Sequence, residues 1–217
     1  MPSIITVDWV PPFARGLLRD LRLRWAMEEA GLAYEMKFVP LGGRDDPSFR
    51  ALQPFGQIPA YEEDGKTMFE TGAILLHLAA KSDTLAPTEP DAKTETTTWL
   101  FAALNTIEPH LQNLVMIDRF HREKDWYDAY RIVAVETAVK RLGELSAVMA
   151  KRQWLAADRF TIADIAMTTV LRIVDHTDLV AQYGPLAAYK ARCEARPAFQ
   201  KSLADQLADI DAHAPAL

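Results

Sequence analysis

Two short stretches of the sequence hold residues whose types and spacing suit the capture of a small extended ligand. The first is Gly56-Gln57-Ile58-Pro59-Ala60. The second is Glu70-Thr71-Gly72, which begins eleven residues after Pro59. A proline just ahead of a strand cannot donate a ladder hydrogen bond. A cis Ile58-Pro59 bond would turn the Ile58 amide and carbonyl outward, where an extended peptide could pair with them by strand addition. A helix beginning at Glu70-Thr71 offers free amides and the positive end of its dipole, which suit a carboxylate. Thr71 adds a hydroxyl donor, and the Glu70 carboxylate can hold an amine. Each signal alone is an ordinary strand boundary or helix cap. Together, on either side of one hairpin, they describe a site for an extended ligand with a carboxylate and an amine at one end.

The other reactive side chains do not assemble into chemistry. Cys193 lies in a late helix, read as Leu186 to Arg196, and is expected to be a buried small apolar residue rather than a nucleophile. The histidines, at 77, 110, 121, 176 and 213, show no metal-ligand spacing, so no metal is expected. Thr161-Ile162-Ala163-Asp164 fits a capping box, with Phe160 and Ile165 placed for a hydrophobic staple, and reads as a folding device. The basic run Arg15, Arg19, Arg22, Arg24 would spread around a helix and is offset by Asp20, Glu28 and Glu29, so no nucleic-acid patch is expected.

The elements that must position these residues follow from punctuation and periodicity. Residues 1–90 hold seven of the nine glycines and nine of the thirteen prolines, whereas Asp91 to Tyr183 contains only Gly143 and Pro109. Long helices exclude both types from their interiors. The first part reads as strand 4–9, helix 14–30 stopped at Gly31, strand 34–39, short helix 48–52, a hairpin of 60–62 and 67–69 turning at Asp64-Gly65, and helix 71–80. That order is βαβαββα. The rest reads as amphipathic helices, with one core stripe of Trp99, Ala102, Ala103, Ile107 and Leu111 and a second of Trp126, Tyr130, Val133, Thr137, Arg141 and Leu145. The fold class is α+β: domain 1–81, linker 82–90 and an all-α domain 91–217.

Composition bounds the partners. The chain has 217 residues, 49% hydrophobic and 25% charged, enough apolar side chain for a sizeable core. A single cysteine excludes an internal disulfide. A net charge of -6 argues against binding nucleic acid through its phosphates. The most apolar stretch, Ala73 to Ala80, is far shorter than the ~20 residues of a membrane span, and the N-terminus lacks the pattern of a signal peptide. A cytoplasmic protein is expected.

The segment Gly56 to Leu78 resembles the glutathione-binding half of the cytosolic glutathione S-transferases, of the bacterial type. Thr161-Ile162-Ala163-Asp164 resembles that family's capping box, and Arg24 to Leu32 resembles its first helix. The resemblance implies a thioredoxin-like N-terminal domain, an all-helical C-terminal domain and a homodimer. It implies that Ile58, beside cis Pro59, pairs with the cysteinyl backbone of glutathione, that Glu70 and Thr71 take the γ-glutamyl end, and that Gln57 reaches the backbone or glycyl end. The implied activity is detoxifying transfer of the glutathione thiolate, as co-substrate, to a small hydrophobic electrophile. The alternatives are a glutathione-dependent peroxidase or disulfide reductase, or a non-catalytic binding or scaffold protein.

One departure from the family bears on mechanism. Its catalytic Tyr, Ser or Cys has no counterpart between Asp8 and Arg24. A free thiol titrates near 8.5, and lowering that by ~2 units needs ~2.7 kcal/mol of preferential thiolate stabilisation. A hydroxyl-to-thiolate bond supplies about 1.5–3 kcal/mol. A helix N-terminus alone gives roughly 0.3–1, or up to ~2 when partly buried. A guanidinium could fill the gap, and Arg19, ahead of Arg15, is the candidate.

Overall fold

The computed structural model describes residues 1–215 and divides into two compact units, Met1–Leu85 with the segment from Arg196 onward, and Ala86–Ala195. The sequence pattern assigns all of 91–217 to the second domain. The difference lies in the last helix, α9 (Pro197–Ala212), which packs along α1 (Asp20–Ala30). Charge and apolar contact both fix it there. Arg196 grips Glu29 through Nε at 2.6 Å and Nη2 at 2.7 Å, Arg24 reaches Asp209 at 2.7 Å, and Phe199 meets the edge of Trp25 with ring centroids 4.8 Å apart.

The first unit is built on four strands in the order β2-β1-β3-β4. β1 (Ser3–Val7) pairs parallel to β2 (Glu35–Val39) and antiparallel to β3 (Ala60–Glu63), which pairs antiparallel to β4 (Lys66–Met68). A parallel pair needs a crossover, and α1 supplies it. Every residue of β1 is buried, as its β-branched sequence requires. At the hairpin tip Asp64 and Gly65 take φ of 49° and 73°, the two positive values of a type I′ turn. α2 (Pro47–Arg50) and α3 (Thr71–Ala79) complete the βαβαββα order expected from sequence.

One boundary differs from the sequence expectation, and the site depends on it. The helix read from Ala14 starts six residues later. Pro12–Ala14 is a short 3₁₀ turn, Arg15 is extended, Gly16 takes φ +72°, and α1 proper begins at Asp20. The residues between are good helix formers, but a left-handed glycine interrupts them. Once formed, α1 is buried from Asp20 through Met27, including Arg22 and Arg24. A stretch that reads as a basic surface is therefore interior.

The second unit is helical: α4 (Pro90–Phe101), a π-helical stretch (Ala102–Ile107), α5 (Glu108–Phe120), α6 (Tyr127–Met149), α7 (Ile162–Arg172) and α8 (Gly184–Glu194). Pro109 is tolerated in the first turn of α5, where no amide is needed. The first predicted stripe is buried at Ala103, Ile107 and Leu111. The second is overturned for its first half. Trp126, Tyr130 and Val133 are exposed; Leu145 is buried as expected, but it is joined by Ala134, Ala138, Leu142 and Met149 rather than by the rest of the stripe. This 23-residue helix carries apolar side chains on two faces. Periodicity does not say which face packs, and the alanines permit the closer helix approach. None of the helices among the described residues is long and apolar enough to cross a membrane.

Candidate functional site

The Ile58-Pro59 peptide bond is cis. Pro59 is buried and leads directly into β3, while half-buried Ile58 packs against two core clusters, Ile5, Phe49 and Ala60, and Val7, Val10 and Ile210. The approach to this bond is held by a residue that sequence reasoning missed. Gln53, only 2% exposed, accepts from the Phe55 amide at 2.6 Å and the Gln57 amide at 3.2 Å, so one side-chain carbonyl organises the loop. The signal available for it was a glutamine standing just before Pro54-Phe55-Gly56, where a side chain can mimic a turn carbonyl. Gly56 is required in the same loop. It takes φ +63°, and a Cβ there would lie 2.8 Å from the Arg50 guanidinium carbon and 3.0 Å from the Arg44 carbonyl.

The hairpin sets the second stretch against the first. β3 and β4 pair Tyr61 with Met68 and Glu62 with Thr67. The pairing ends at Tyr61 and Met68, so Pro59, just before β3, and Glu70, just after β4, both follow from the same open end of the hairpin. Phe55 and Phe69, which flank the two stretches, meet edge to face at 6.1 Å. The sequence-predicted residues Ile58, Pro59, Glu70 and Thr71 therefore lie at one end of one hairpin, with exposed Gln57 beside them.

The start of α3 is unusual in two respects. Glu70 is exposed and holds φ 67° and ψ 109°, a conformation that side chains other than glycine seldom adopt. No side chain caps the helix. Thr71 is buried at 7% exposure, and its Oγ1 accepts a 3.0 Å hydrogen bond from Nη1 of Arg22, itself 2% exposed. Helix amides without a side-chain cap, a hydroxyl and a buried guanidinium thus converge at one helix end, while Glu70 offers a carboxylate there. Chemically this arrangement can take the carboxylate and amine of an α-amino acid head, with the Ile58 edge offering backbone pairing to the remainder of an extended ligand. Arg22 was not singled out from the sequence as a site residue. Its signal was an arginine within an otherwise apolar helical stretch.

The two arginines read as thiolate partners sit differently. Arg15 follows the 3₁₀ turn and donates to Asp211 of α9 at 2.6 Å, which holds the guanidinium pKa above and the Asp211 pKa below their ordinary values. Arg19 occupies the N-cap position of α1, one turn before Arg22. The closest preceding hydroxyl in sequence is Thr6, which is 1% exposed inside β1. Cys193 is buried in α8, and burial pushes its thiol up to about 12, so it is not a nucleophile near neutral pH. His77 bonds Glu63 at 2.7 Å. Together Lys81 and His77 pull that carboxyl down to about 2.

Known proteins share this arrangement of elements. Residues 14–80 match the glutathione S-transferase N-terminal domain and residues 114–197 the glutathione S-transferase C-terminal domain. Glutathione S-transferase 3 of Zea mays is 30% identical over 197 residues, covering 85% of this chain and 88% of its own. The disulfide-bond oxidoreductase YfcG of Escherichia coli is 31% identical over 189 residues, covering 82% and 86%. A glutathione transferase from Pseudomonas putida, solved with one glutathione disulfide bound per subunit, superposes with a TM-score of 0.79 at 28% identity, over 93% of this chain and 90% of that one. A thioredoxin-like unit with a cis-proline hairpin, a helical unit that carries a capping box, and both domain models in order place the chain in the glutathione S-transferase family.

Proposed function

We propose that this protein binds glutathione at the hairpin end formed by Ile58, Pro59, Glu70 and Thr71 and transfers its thiolate to small hydrophobic electrophiles. The observation that carries the reading is the cis Ile58-Pro59 bond leading into β3 at the same end of the hairpin from which Glu70 and Thr71 open α3 without a side-chain cap. Thr71 and the α3 amides take the γ-glutamyl carboxylate, Glu70 takes the amine, Ile58 pairs with the cysteinyl backbone, and Gln57 reaches the glycyl side. In the transfer a carbon–sulfur bond forms, the thiol proton passes to solvent, and the electrophile's leaving group departs with its electron pair. The enzyme contributes proximity and charge stabilisation.

Arg19 is the proposed thiolate partner. Arg15, which pairs with Asp211, is the second candidate. The reading includes a detoxifying role in the cytoplasm and a homodimer. Met116, Phe120, Trp126, Tyr130, Ile132 and Val133 are 41–61% exposed on α5, α6 and their connection, an apolar area that a second copy would cover. A second reading, reduction of disulfides by bound glutathione, is favoured by the 31% identity to the Escherichia coli disulfide-bond oxidoreductase.

Calorimetric titration with glutathione, followed by parallel assays with an aryl halide, a peroxide and a mixed disulfide, tests both. Binding plus aryl-halide turnover is the expected result. Disulfide turnover alone would move the assignment to the second reading, and no binding at millimolar glutathione would end both. Ultraviolet thiolate absorbance of the bound ligand checks the arginine. In Arg19→Ala the thiol should titrate closer to its free value near 8.5. An unchanged titration in both Arg19→Ala and Arg15→Ala would remove the guanidinium from the mechanism.

A further inference from the structure

The glutathione reading assigns Thr71 to a carboxylate but leaves unexplained why an arginine is buried behind it. Arg22 lies within α1 at 2% exposure, and its Nη1 donates to Thr71 Oγ1 at 3.0 Å. A guanidinium taken out of water is costly to hold unless it is hydrogen-bonded. It is a donor only, with a fixed planar geometry. A threonine hydroxyl has one hydrogen to give and two lone pairs that accept. Because Arg22 cannot accept, the Thr71 hydroxyl hydrogen must point away from it.

We propose that Arg22 is a positioning residue for the ligand's carboxylate. It fills an acceptor position of Thr71, which turns that hydroxyl into a committed donor at the start of α3. It also places a buried positive charge behind the helix end, where it adds to the α3 dipole. The helix has no side-chain cap of its own to compete for that position, and Glu70 immediately before it is held at φ 67°. Arg22 need not touch the ligand.

This inference rests on the glutathione reading, so the test separates the two. Calorimetry compares glutathione with an analogue whose γ-glutamyl carboxylate is replaced by an uncharged carboxamide, for the wild type, Arg22→Gln, Arg22→Lys and Thr71→Val. Thermal melting confirms that each variant is folded. The wild type should prefer glutathione by about 10- to 100-fold, as expected for a charge-assisted hydrogen bond in a partly buried site. In Arg22→Gln the preference should fall to within about 3-fold, with affinity for the carboxamide nearly unchanged. Arg22→Lys keeps the charge and most of the stem, and should lose at least about 3-fold of the preference. It carries the test if the glutamine variant does not fold. In a Thr71→Val background the same Arg22 substitution should have a smaller effect, as coupled neighbours require. A merely structural role would weaken both ligands equally and leave the ratio at its wild-type value. That result, in a folded variant, would overturn the proposal while glutathione binding stood. Failure of the wild type to bind glutathione would overturn the reading and the proposal together.

Discussion

Two helices of this molecule begin in opposite ways. α7 starts with a closed box. Thr161 Oγ1 accepts from the Ala163 amide at 3.3 Å, the Asp164 carboxylate accepts from the Thr161 amide at 2.9 Å, and Phe160 and Ile165 are both buried beside it. Asp164 also accepts from the Leu155 amide at 3.1 Å and the Tyr189 hydroxyl at 2.9 Å. α3 starts with no side-chain cap, an exposed glutamate in a strained conformation, and a threonine whose hydroxyl is engaged from behind. A helix end finished by its own side chains has committed its donors to folding. One left open keeps them for a ligand, and its strain has to be offset by the surrounding packing.

The largest effects should separate these two ends by kind. Asp164→Ala strands two buried amides and a buried hydroxyl, and should cost about 3–5 kcal/mol in denaturant unfolding at neutral pH. Glu70→Ala strands nothing buried. It should change stability by less than about 0.5 kcal/mol, and weaken glutathione by about 10-fold or more through the lost amine contact. If Glu70→Ala destabilised the fold as much as Asp164→Ala, the contrast between a folding cap and a ligand cap would fail.

The closed box also carries a titration. Burial raises the Asp164 pKa to about 6 against the pull of its Leu155, Thr161 and Tyr189 donors. Its unfolded value is near 3.9. A carboxyl raised on folding contributes fully below the unfolded pKa, and that contribution is lost as pH rises through the folded one. The stability difference between the wild type and Asp164→Asn should therefore shift against the wild type by about 2 kcal/mol between pH 4 and pH 7.5, measured by chemical denaturation. A difference flat across that range would mean that the donors outweigh burial and the group stays ionised.

How far the sequence reaches obeys the same division. The box was legible because its pattern is local: Thr161 and Asp164 act within one turn, and the sequence spacing is the geometry. The hairpin was legible too, since Asp64-Gly65 fixes the turn and the turn fixes the register that pairs Tyr61 with Met68. Gln53 and Arg22 were not, because each works through a contact whose value depends on burial. An arginine two residues from another arginine reads as surface until α1 is packed into the unit. Likewise the start of α1 was misplaced because helix propensity is additive along Ala14 to Leu18, while a single left-handed Gly16 decides the outcome. The apolar face of α6 failed for a third reason: two faces were equally apolar, and only the neighbours choose.

The smallest prediction isolates the strain at the open end. Glu70 holds φ 67° and ψ 109°, where a Cβ is unfavourable and glycine is not. Two substitutions remove the same carboxylate but differ in backbone freedom. Glu70→Ala keeps the Cβ and so keeps the strain. Glu70→Gly relieves it, against the opposing effect of a more flexible unfolded chain. The glycine variant should therefore be more stable than the alanine variant by about 1 kcal/mol, while the two bind glutathione equally weakly, as measured by denaturant midpoint and calorimetry on the same preparations. A glycine variant less stable than alanine would show that the conformation is relaxed in its surroundings, and that the open start of α3 costs the fold nothing.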